Sequence, residues 1–548
     1  MRVSGTPGMN TNIPVIDIFA GPGGLGEGFN AARQGNIRFS LKLSVEKDRI
    51  AHQTLLLRSF FWKLKDRGVP PEYYDYISGK LSRYDLLKLF PVEAEAAAEE
   101  AQCIELGTDS HAEVDGLIEK ALDGRSHWVL IGGPPCQAYS LAGRSRNAKV
   151  RRASLAAFET DKRHRLYEEY LRILAKFRPS LFIMENVKGM LSSQLEGELI
   201  FDRIRRDLSQ PHLSVTEKDK MPAADKFAGY DIYSLTVSAD QPEKLKPADF
   251  VIRAENHGIP QTRHRVILFG IKKEYRQAPA KLLSEENSPT VKTMLKDLPR
   301  LRSRVSRGKD SQSAWLKCLN KLTPMIKGKA KDKIKLRKAI RTAQKKAGNL
   351  KDSTGSFHKG KFVCAAFKEW FYDSDLPGIP NHEARSHMAS DLRRYLFCSA
   401  WAKSHGNKSS PTLSDFPKSL LPKHQSAKKA ARKKTGFADR FRVQVAGRCS
   451  GTIVSHIAKD GHYYIHYDPA QCRSLTVREA ARLQTFPDNY FFEGNRTEQY
   501  TQVGNAVPPL LARHIAEAVA ATLNSILELE LHLNKGKEEQ TLTGIAAE

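Results

Sequence analysis

Residues 131–137 read Ile-Gly-Gly-Pro-Pro-Cys-Gln, and they follow an apolar run at 128–131 that predicts a buried parallel strand. Two glycines permit a close approach of the backbone, and two prolines fix φ and rule out an immediate helix. Cys136 is therefore expected on a stiff loop at the carboxyl end of a strand, where open α/β sheets bind ligands. The position suits a nucleophile, but a free cysteine is also commonly a small buried hydrophobe. This stretch alone leaves both interpretations open.

The composition indicates a protein of several domains in a reducing environment. The chain has 548 residues, 40% of them hydrophobic, which exceeds the usual size of one core. No apolar run is long enough to span a bilayer, and residues 1–12 lack the core of a signal peptide. The seven cysteines include no Cys-x-x-Cys pair, which argues against a disulfide framework and a zinc site. We expect a cytoplasmic protein without a metal.

The net charge is +27, from 88 Lys and Arg against 61 Asp and Glu. Such an excess lies on the surface and attracts polyanions. Nucleic acid is the expected partner, since no lipid anchor motif and no basic amphipathic membrane helix is present. A soluble basic protein without a specific polyanion remains the alternative.

The first chain segment predicts a nucleotide-like binding unit. Residues 15–19 form a short apolar strand, 20–28 form a glycine-rich loop, and a helix follows. Residues 21–26 match G-x-G-x-x-G, and Glu46 lies about twenty residues further on, where a ribose diol can be bound. At this point a nicotinamide or flavin enzyme is an open alternative.

The next segments of the chain give weaker indications of function. Residues 54–101 are rich in Leu, Tyr, Lys and Ala and predict a peripheral helical insertion. Asp109 follows a weak strand signal at 102–106; it can bond an adenine amino group or be a surface acid in a turn. Residues 140–165 are basic, with few large hydrophobes, and predict a mobile loop beside Cys136 that closes over a phosphate backbone.

A second strand repeats the pattern that precedes Cys136. A helix is predicted at 166–177 and a strand at 181–184, and Glu185 follows directly. A carboxylate at the end of a buried strand is costly unless it is paired or used. Neighbouring strands would then present a thiol and a carboxylate to one crevice. Arg263 and Arg265 alternate before another strand at 266–271, so both can point into that crevice, or be ordinary surface arginines.

The βα pattern is lost over 273–472, where long basic runs predict a second, irregular domain that is disordered in part at 423–436. Strands are predicted at 451–454 and 463–467. Residues 473–484 then predict a helix capped by Thr476 and Glu479. A tight loop precedes an apolar-faced helix at 510–527, and the tail beyond 533 is expected to fray.

Six stretches, in this order, resemble the motifs of bacterial-type DNA cytosine-5 methyltransferases; they are 17–24, 133–137, 185–187, 261–265, 475–484 and 502–508. The match covers roughly 1–272 and 473–527, and the variable middle falls where that family carries its target-recognition domain. The resemblance implies a doubly wound, mostly parallel, Rossmann-like α/β sheet with a smaller basic recognition domain. It divides the chain into a catalytic part at 1–272, a recognition domain at 273–472, a return at 473–534 and a flexible tail at 535–548.

The resemblance implies methyl transfer from S-adenosyl-L-methionine to C5 of a flipped-out cytosine in a specific double-stranded DNA sequence. The implied catalytic residues are Cys136, Glu185, Arg263 and Arg265. The residues implied around the methyl donor are Phe19, Ala20, Gly21, Gly23, Gly24, Leu25, Glu46, Asp109, Pro134, Leu166, Asn505 and Val507. The expected DNA contacts are Gln137, Ser140, Arg144, Arg146 and Thr452. We further expect a monomer that belongs to a restriction-modification system; the sequence leaves open whether it has a companion endonuclease.

The chemistry of cytosine supports these roles. C5 is a poor nucleophile until a thiolate adds to C6, and a thiol keeps some thiolate near neutrality. Glu185 can hold or protonate N3 while charge develops on the ring, and Arg265 can hold O2. The base that removes the C5 proton is not identified, and water can serve. An RNA cytosine-5 methyltransferase, a non-catalytic nucleic-acid binding protein and an NAD-dependent oxidoreductase remain alternatives.

Overall fold

The computed structural model describes residues 11–135, 163–195, 198–215, 227–307, 309–350, 355–433 and 438–545. Within these residues an eight-stranded mixed sheet forms the centre of the molecule. Its strands are β1 (Thr11–Ile18), β2 (Ile37–Val45), β3 (Ala101–Gln102), β4 (Val129–Gly132), β5 (Leu181–Val187), β6 (Tyr230–Tyr233), β7 (Val251–Arg253) and β8 (His264–Lys272).

The strand order is β3-β2-β1-β4-β5-β8-β6, with β7 also paired to β8. The first five strands are mutually parallel, and β8 runs antiparallel to β5, β6 and β7. The order reverses between β1 and β4, and ligands bind open α/β sheets outside the carboxyl ends of the strands at such a point. The predicted mostly parallel, doubly wound sheet is confirmed.

Helices cover both faces of the sheet, and several more lie in the middle of the chain. The helices among the described residues are α1 (Gly24–Ala31), α2 (Arg49–Lys65), α3 (Pro71–Ile77), α4 (Arg83–Leu89), α5 (Pro91–Glu100), α6 (His111–Leu122), α7 (Arg163–Phe177), α8 (Ile200–Ser209), α9 (Pro211–Ser214), α10 (Val291–Leu295), α11 (Gln312–Asn320), α12 (Lys331–Ala347), α13 (Lys368–Phe371), α14 (Ala389–Ser404), α15 (Gln425–Lys433), α16 (Val477–Leu483), α17 (Arg496–Asn505) and α18 (Pro509–Ile545). None of them is both long enough and apolar enough to cross a membrane.

The two faces of the sheet have separate hydrophobic cores because side chains alternate along each strand. On β1, Ile13 and Val15 join the core that α1 and α18 cover. Ile16 and Ile18 join the opposite core, which α6, α7 and α8 cover. Residues near the carboxyl ends of the strands are thereby held between two packed layers.

The middle of the chain is not irregular throughout, which corrects the prediction, because part of it is a packed group of helices. Helices α11, α12, α14 and α15 pack around a third hydrophobic core. The basic run that begins at Lys331 is α12, and it buries Leu336, Ile340, Ala343 and Ala347. These four positions have helical spacing, but the lysines and arginines of the exposed face hide that periodicity in the sequence.

Other predicted boundaries also change. The expected strand at 463–467 is wrong. Ile465 makes only isolated bridges to Val443 and Ser474, and the residues just after Gly461, which has a positive φ, form a turn. The strand expected at 451–454 reduces to the pair Ser450–Gly451, which lies parallel to Gln261–Thr262. Helix α15 occupies most of 423–436, and α18 extends well beyond residue 533, where fraying was expected.

Helix α16 joins the middle segment to the C-terminal part of the chain through buried charge. Its predicted capping box is confirmed, since the Thr476 hydroxyl accepts from Glu479 N at 3.1 Å and Glu479 Oε2 accepts from Thr476 N at 2.8 Å. Glu479 also binds both Nη atoms of Arg473 at 2.6 Å. Burial alone raises the pKa of Glu479, but Arg473 holds it well below its usual range. The carboxylate therefore stays ionised inside the protein.

Three buried histidines surround this ion pair, and they predict a stability that depends on pH. Burial lowers the pKa of His382 to about 3, that of His466 to about 4, and that of His387 well below 6.5. In the unfolded chain each histidine takes up a proton near pH 6.5, so stability is complete above that pH and is lost as the pH falls. At pH 5.5 each should lower the free energy of unfolding by about 1 kcal/mol.

Denaturant unfolding at pH 7.5 and 5.5 measures this loss. His387→Gln should reduce the difference in unfolding free energy between the two pH values by about 1 kcal/mol. His424→Gln, which replaces an exposed histidine, should leave the difference unchanged. A wild-type free energy of unfolding that is equal at the two pH values would contradict the prediction.

Candidate active site

A cavity of about 550 Å³ opens at the carboxyl ends of β1, β2, β4 and β5. It lies at the reversal of strand order, and its volume suits a cofactor-sized ligand. The structure brings most of the predicted site residues into its wall; they are Phe19, Ala20, Gly21, Gly24, Leu25, Glu46, Pro134, Leu166, Glu185, Arg263, Arg265, Asn505 and Val507.

The glycine loop approaches the C-terminal part of the chain very closely. Gly23 caps the N-terminus of α1, and Gly24 begins that helix. A Cβ on Gly24 would lie 2.4 Å from the carbonyl oxygen of Val507. The hydroxyl of Tyr490 also donates to the carbonyl of Pro22. The loop after β1 and the segment before α18 therefore form one wall, although nearly 500 residues separate them in sequence.

Glu46 lies at the end of β2 and is fixed by backbone donors. Its Oε2 accepts from Gly21 N and its Oε1 from Asp48 N, both at 2.8 Å. Asp17, at the end of β1, is completely buried nearby, and burial followed by the charge of Glu46 raises the pKa of Asp17 well above its usual value. Glu46 lines the cavity at the position where the sequence predicted a ribose contact.

Glu185 lies inside β5, which continues through Val187 rather than ending at Met184 as expected. The end of β4 passes directly alongside it, since a Cβ on Gly133 would be 3.0 Å from Glu185 Oε2. The side chain of Asn186 donates to the carbonyl of Pro134 at 3.5 Å. Residues 133–135 are therefore held against the glutamate.

Several predicted residues lie outside the described residues; they are Cys136, Gln137, Ser140, Arg144 and Arg146. Pro135, the residue before Cys136, lines the cavity together with Glu185. Pro135, the last residue described before this gap, therefore lies at the cavity wall.

Arg265 forms an ion pair with Glu185, with Nε 2.7 Å from Oε1. Arg265 Nε makes no hydrogen bond, so its N–H does not point at the carboxylate oxygen and the contact is an ion pair only. The two side chains are 13% and 14% exposed, so the pair is largely shielded from solvent and remains accessible from the cavity. This arrangement leaves donors of Arg265 and one oxygen of Glu185 available to a ligand.

Arg263 is fully buried, and its guanidinium connects two distant segments. Its Nη1 donates to the carbonyl of Ile453 at 2.8 Å and lies 3.5 Å from that of Gly504. Burial, followed by the charge of Arg265, lowers the pKa of Arg263 to about 9. Both arginines reach the cavity wall, as the alternation predicted, but Arg263 is tied to backbone carbonyls.

Besides Gly23, which caps α1, two predicted residues lie away from the cavity wall. Asp109 is exposed in the short turn Thr108–Ser110, whereas Ile104 and Leu106 of the preceding segment do line the cavity. The Thr452 hydroxyl donates to the carbonyl of Thr262 at 2.6 Å, which couples it to the strand pair beside Arg263.

Helix α17 contributes a polar wall to the cavity that was not predicted from the sequence. Thr497, Glu498, Thr501 and Gln502 line the cavity together with Asn505. Their spacing of three and four residues places them on one face of a helix. That periodicity is visible in the sequence, but only the position of α17 shows that the face meets the glycine loop.

The sheet order and this cavity define an α/β enzyme of the Rossmann-like, ligand-binding class. Residues 101–214 and 246–521, more than half of the chain, match the family model described as C-5 cytosine-specific DNA methylase. The chain belongs to this family, and its activity class is DNA (cytosine-5-)-methyltransferase.

Two relatives agree with the family match. The Type II methyltransferase M.Bpa9945I of Bacillus paralicheniformis is 32% identical over 93% of this chain and 99% of its own length. The DNA (cytosine-5-)-methyltransferase M.ApeKI of Aeropyrum pernix is 27% identical over 77% of this chain and 87% of its own length. Among solved structures, that of the Entamoeba histolytica methyltransferase EhMeth has a TM-score of 0.40 at 12% identity and covers 94% of this chain and 99% of that chain.

The contact between Gly24 and Val507 predicts that Gly24→Ala disrupts the site. The added methyl group overlaps a backbone oxygen, so either α1 or the segment before α18 must shift. We expect the free energy of unfolding to fall by about 1–3 kcal/mol, as for other overpacked sites, and methyl transfer to weaken. Denaturant unfolding and a methyl-transfer assay measure the two effects.

Gly116→Ala is the matched control, because Gly116 lies within α6 and a Cβ there meets nothing within 4 Å. It should raise stability by about 0.5–1 kcal/mol. A Gly24→Ala protein as stable and active as the wild type would show that the two segments are not in close contact.

Proposed function

We propose that the protein transfers a methyl group from S-adenosyl-L-methionine to C5 of a flipped-out cytosine in a specific double-stranded DNA sequence. The reaction proceeds through covalent addition of the Cys136 thiolate at C6. The observation that carries this proposal is the Glu185–Arg265 ion pair, which lies beside residues 133–135 in the same cavity as the glycine loop.

The residues of the cavity fit the methyl donor. Phe19 and Leu106 offer apolar surface for an adenine ring, and Glu46 offers a carboxylate for a ribose diol. Asn505 and Val507 close the opposite wall. The bound donor supplies an electrophilic methyl group. Pro134 and Leu166, which also line the cavity, exclude water from the space around it.

Glu185 and Arg265 fit a cytosine ring. Oε1 of Glu185 is paired with Arg265, so the other carboxylate oxygen can contact the exocyclic amine or N3 of cytosine. The remaining N–H groups of Arg265 can donate to O2. Addition of the thiolate to C6 places negative charge on N3 and O2. A positioned acid and a cation at those two atoms stabilise that charge, and such electrostatic contributions are large in a site shielded from water.

The order of steps follows from the chemistry of the ring. The thiolate bonds to C6, and the electron pair of the C5–C6 π bond becomes available at C5. C5 then bonds to the methyl group, and the bond between that group and the sulfonium sulfur would break so that S-adenosyl-L-homocysteine would leave. The C5 proton then leaves to a base, and the C6–S bond breaks so that the thiolate is regenerated. Residues 133–135 hold the backbone that leads to Cys136 within reach of Glu185, which favours this geometry.

The reaction needs a base that has left the duplex, at a cost of a few kcal/mol. The net charge of +27 supports binding to a polyanion that can offset this cost. The relative from Bacillus paralicheniformis is named a type II methyltransferase, and we infer that this chain likewise modifies DNA within a restriction-modification system. The companion endonuclease and the monomeric state belong to this proposal.

Cys136→Ser should abolish methyl transfer and leave DNA affinity nearly unchanged, because a serine hydroxyl is not ionised near neutral pH.

Glu185→Gln keeps the shape of the side chain but cannot supply a proton, and it should slow transfer by about 10²–10⁴-fold. Incorporation of a labelled methyl group into DNA and base-resolution methylation mapping of host DNA measure both effects.

Cys103→Ser controls for loss of a thiol, since Cys103 is exposed and lies outside the cavity wall; it should behave as the wild type. Full activity of the Cys136→Ser protein would overturn the covalent mechanism. Methyl groups found at an atom other than cytosine C5 would overturn the proposed reaction.

A further inference from the structure

The middle of the chain carries a second concave surface, far in sequence from the cavity residues of the sheet. It has a volume of about 490 Å³ and lies between α11, the N-terminal residues of α14, and the short strand Arg304–Val305 with the residues that follow it. Four exposed cations line it: Arg307, Lys309, Lys317 and Lys321. We call this surface the cationic groove.

No carboxylate lines the cationic groove, and none of the four cations forms an ion pair with a carboxylate in the part of the chain that the structure describes. The acids that flank it in sequence are already paired elsewhere. Asp310 binds Arg302 at 2.9 Å, and Asp391 binds Arg394 at 2.6 Å. Four positive charges therefore repel each other in one concavity, which is unfavourable unless an anion enters it.

The backbone supports the same conclusion. Arg307 has a φ of +70°, a left-handed conformation that is unfavourable for a residue with a side chain. This residue is one of the four cations that line the groove. Strain of this kind is retained where a side chain must be held in a particular place.

The cationic groove is fixed relative to the active site by hydrogen bonds just before Arg304. Leu301 N donates to Gln471 Oε1 at 2.9 Å, and Arg473 Nε donates to the carbonyl of Leu301 at 3.2 Å. Arg473 is itself paired with Glu479 of α16, and α16 packs against α17, whose polar face lines the active-site cavity. A polyanion in the groove would therefore be positioned relative to that cavity.

We propose that the cationic groove binds the phosphodiester backbone of the DNA substrate away from the modified cytosine. This inference rests on the proposed function and adds to it a specific surface for the duplex. The four cations supply positive charge that phosphates of any DNA sequence can neutralise, so the contact should raise affinity for any DNA sequence. Arg307 and Lys309 would contact one phosphate region, and Lys317 and Lys321, one turn apart on and just after α11, the next.

The test is the double variant Lys317→Gln with Lys321→Gln in the full-length protein. Binding of a labelled duplex oligonucleotide of arbitrary sequence is measured at increasing potassium chloride concentration. The slope of the logarithm of the association constant against the logarithm of salt concentration should become shallower by about 1.8, or about 0.9 for each phosphate that the protein no longer neutralises. The rate of methyl transfer at saturating DNA should stay at the wild-type value.

The matched control is Lys338→Gln with Lys345→Gln, which removes the same charge from exposed positions of α12 that do not line the groove. It should leave the salt slope unchanged. Equal changes in the two double variants would assign the effect to net charge and overturn the proposal, as would an unchanged slope in the groove variant. A groove variant that loses affinity for an RNA duplex but not for DNA would overturn the choice of DNA.

The two proposals fail in different ways. A wild-type protein that transfers no methyl group to DNA, with the salt slope still dependent on Lys317 and Lys321, would leave the groove as a DNA contact and overturn the proposed function. If the wild type is active and the salt slope is the same with and without Lys317 and Lys321, only the proposal for the cationic groove is overturned. Thermal unfolding of each variant shows that the fold is retained.

Discussion

The active site depends on how closely the end of β4 approaches its two neighbouring strands. A Cβ on Gly132 would lie 2.5 Å from the carbonyl oxygen of Ile18, and one on Gly133 would lie 3.0 Å from Glu185. Because both residues are glycines, β4 stays within the parallel sheet while its last residues pass between the glycine loop and the glutamate. One short segment thereby lies in contact with both the strand that leads to the glycine loop and the strand that carries Glu185.

The second requirement is that the C-terminal part of the chain returns to close this cavity. Buried arginines hold that return in place: Arg263 binds carbonyls of Ile453 and Gly504, and Arg482 binds Asp488 and Asp297. Each of these guanidiniums is nearly or fully buried, so loss of a partner would leave a polar group or a charge without compensation. The middle segment, the sheet and α17 are thus held together as one arrangement, and the catalytic wall is built from residues hundreds of positions apart.

Charge is compensated inside the protein and uncompensated on part of its surface. Glu185 is paired with Arg265, Glu479 with Arg473, and burial favours the neutral form of Asp17. The cationic groove has no such compensation among the described residues. This division suits the proposed reaction, in which the interior holds a ring that gains negative charge and the exterior holds a polyanion.

The sequence alone determined the parts of the protein that depend on local chemistry. The strands β1, β4 and β5, the glycine loop, the capped helix α16 and the candidate site residues could be predicted because apolar periodicity, glycines and capping residues act over a few positions. Only the tertiary structure decided what those parts face. The contact of Gly24 with Val507, the polar wall of α17 and the buried course of Arg263 depend on packing between distant segments. The helices of the middle segment were missed for a related reason, since surface charge hid a core that forms only when four helices meet.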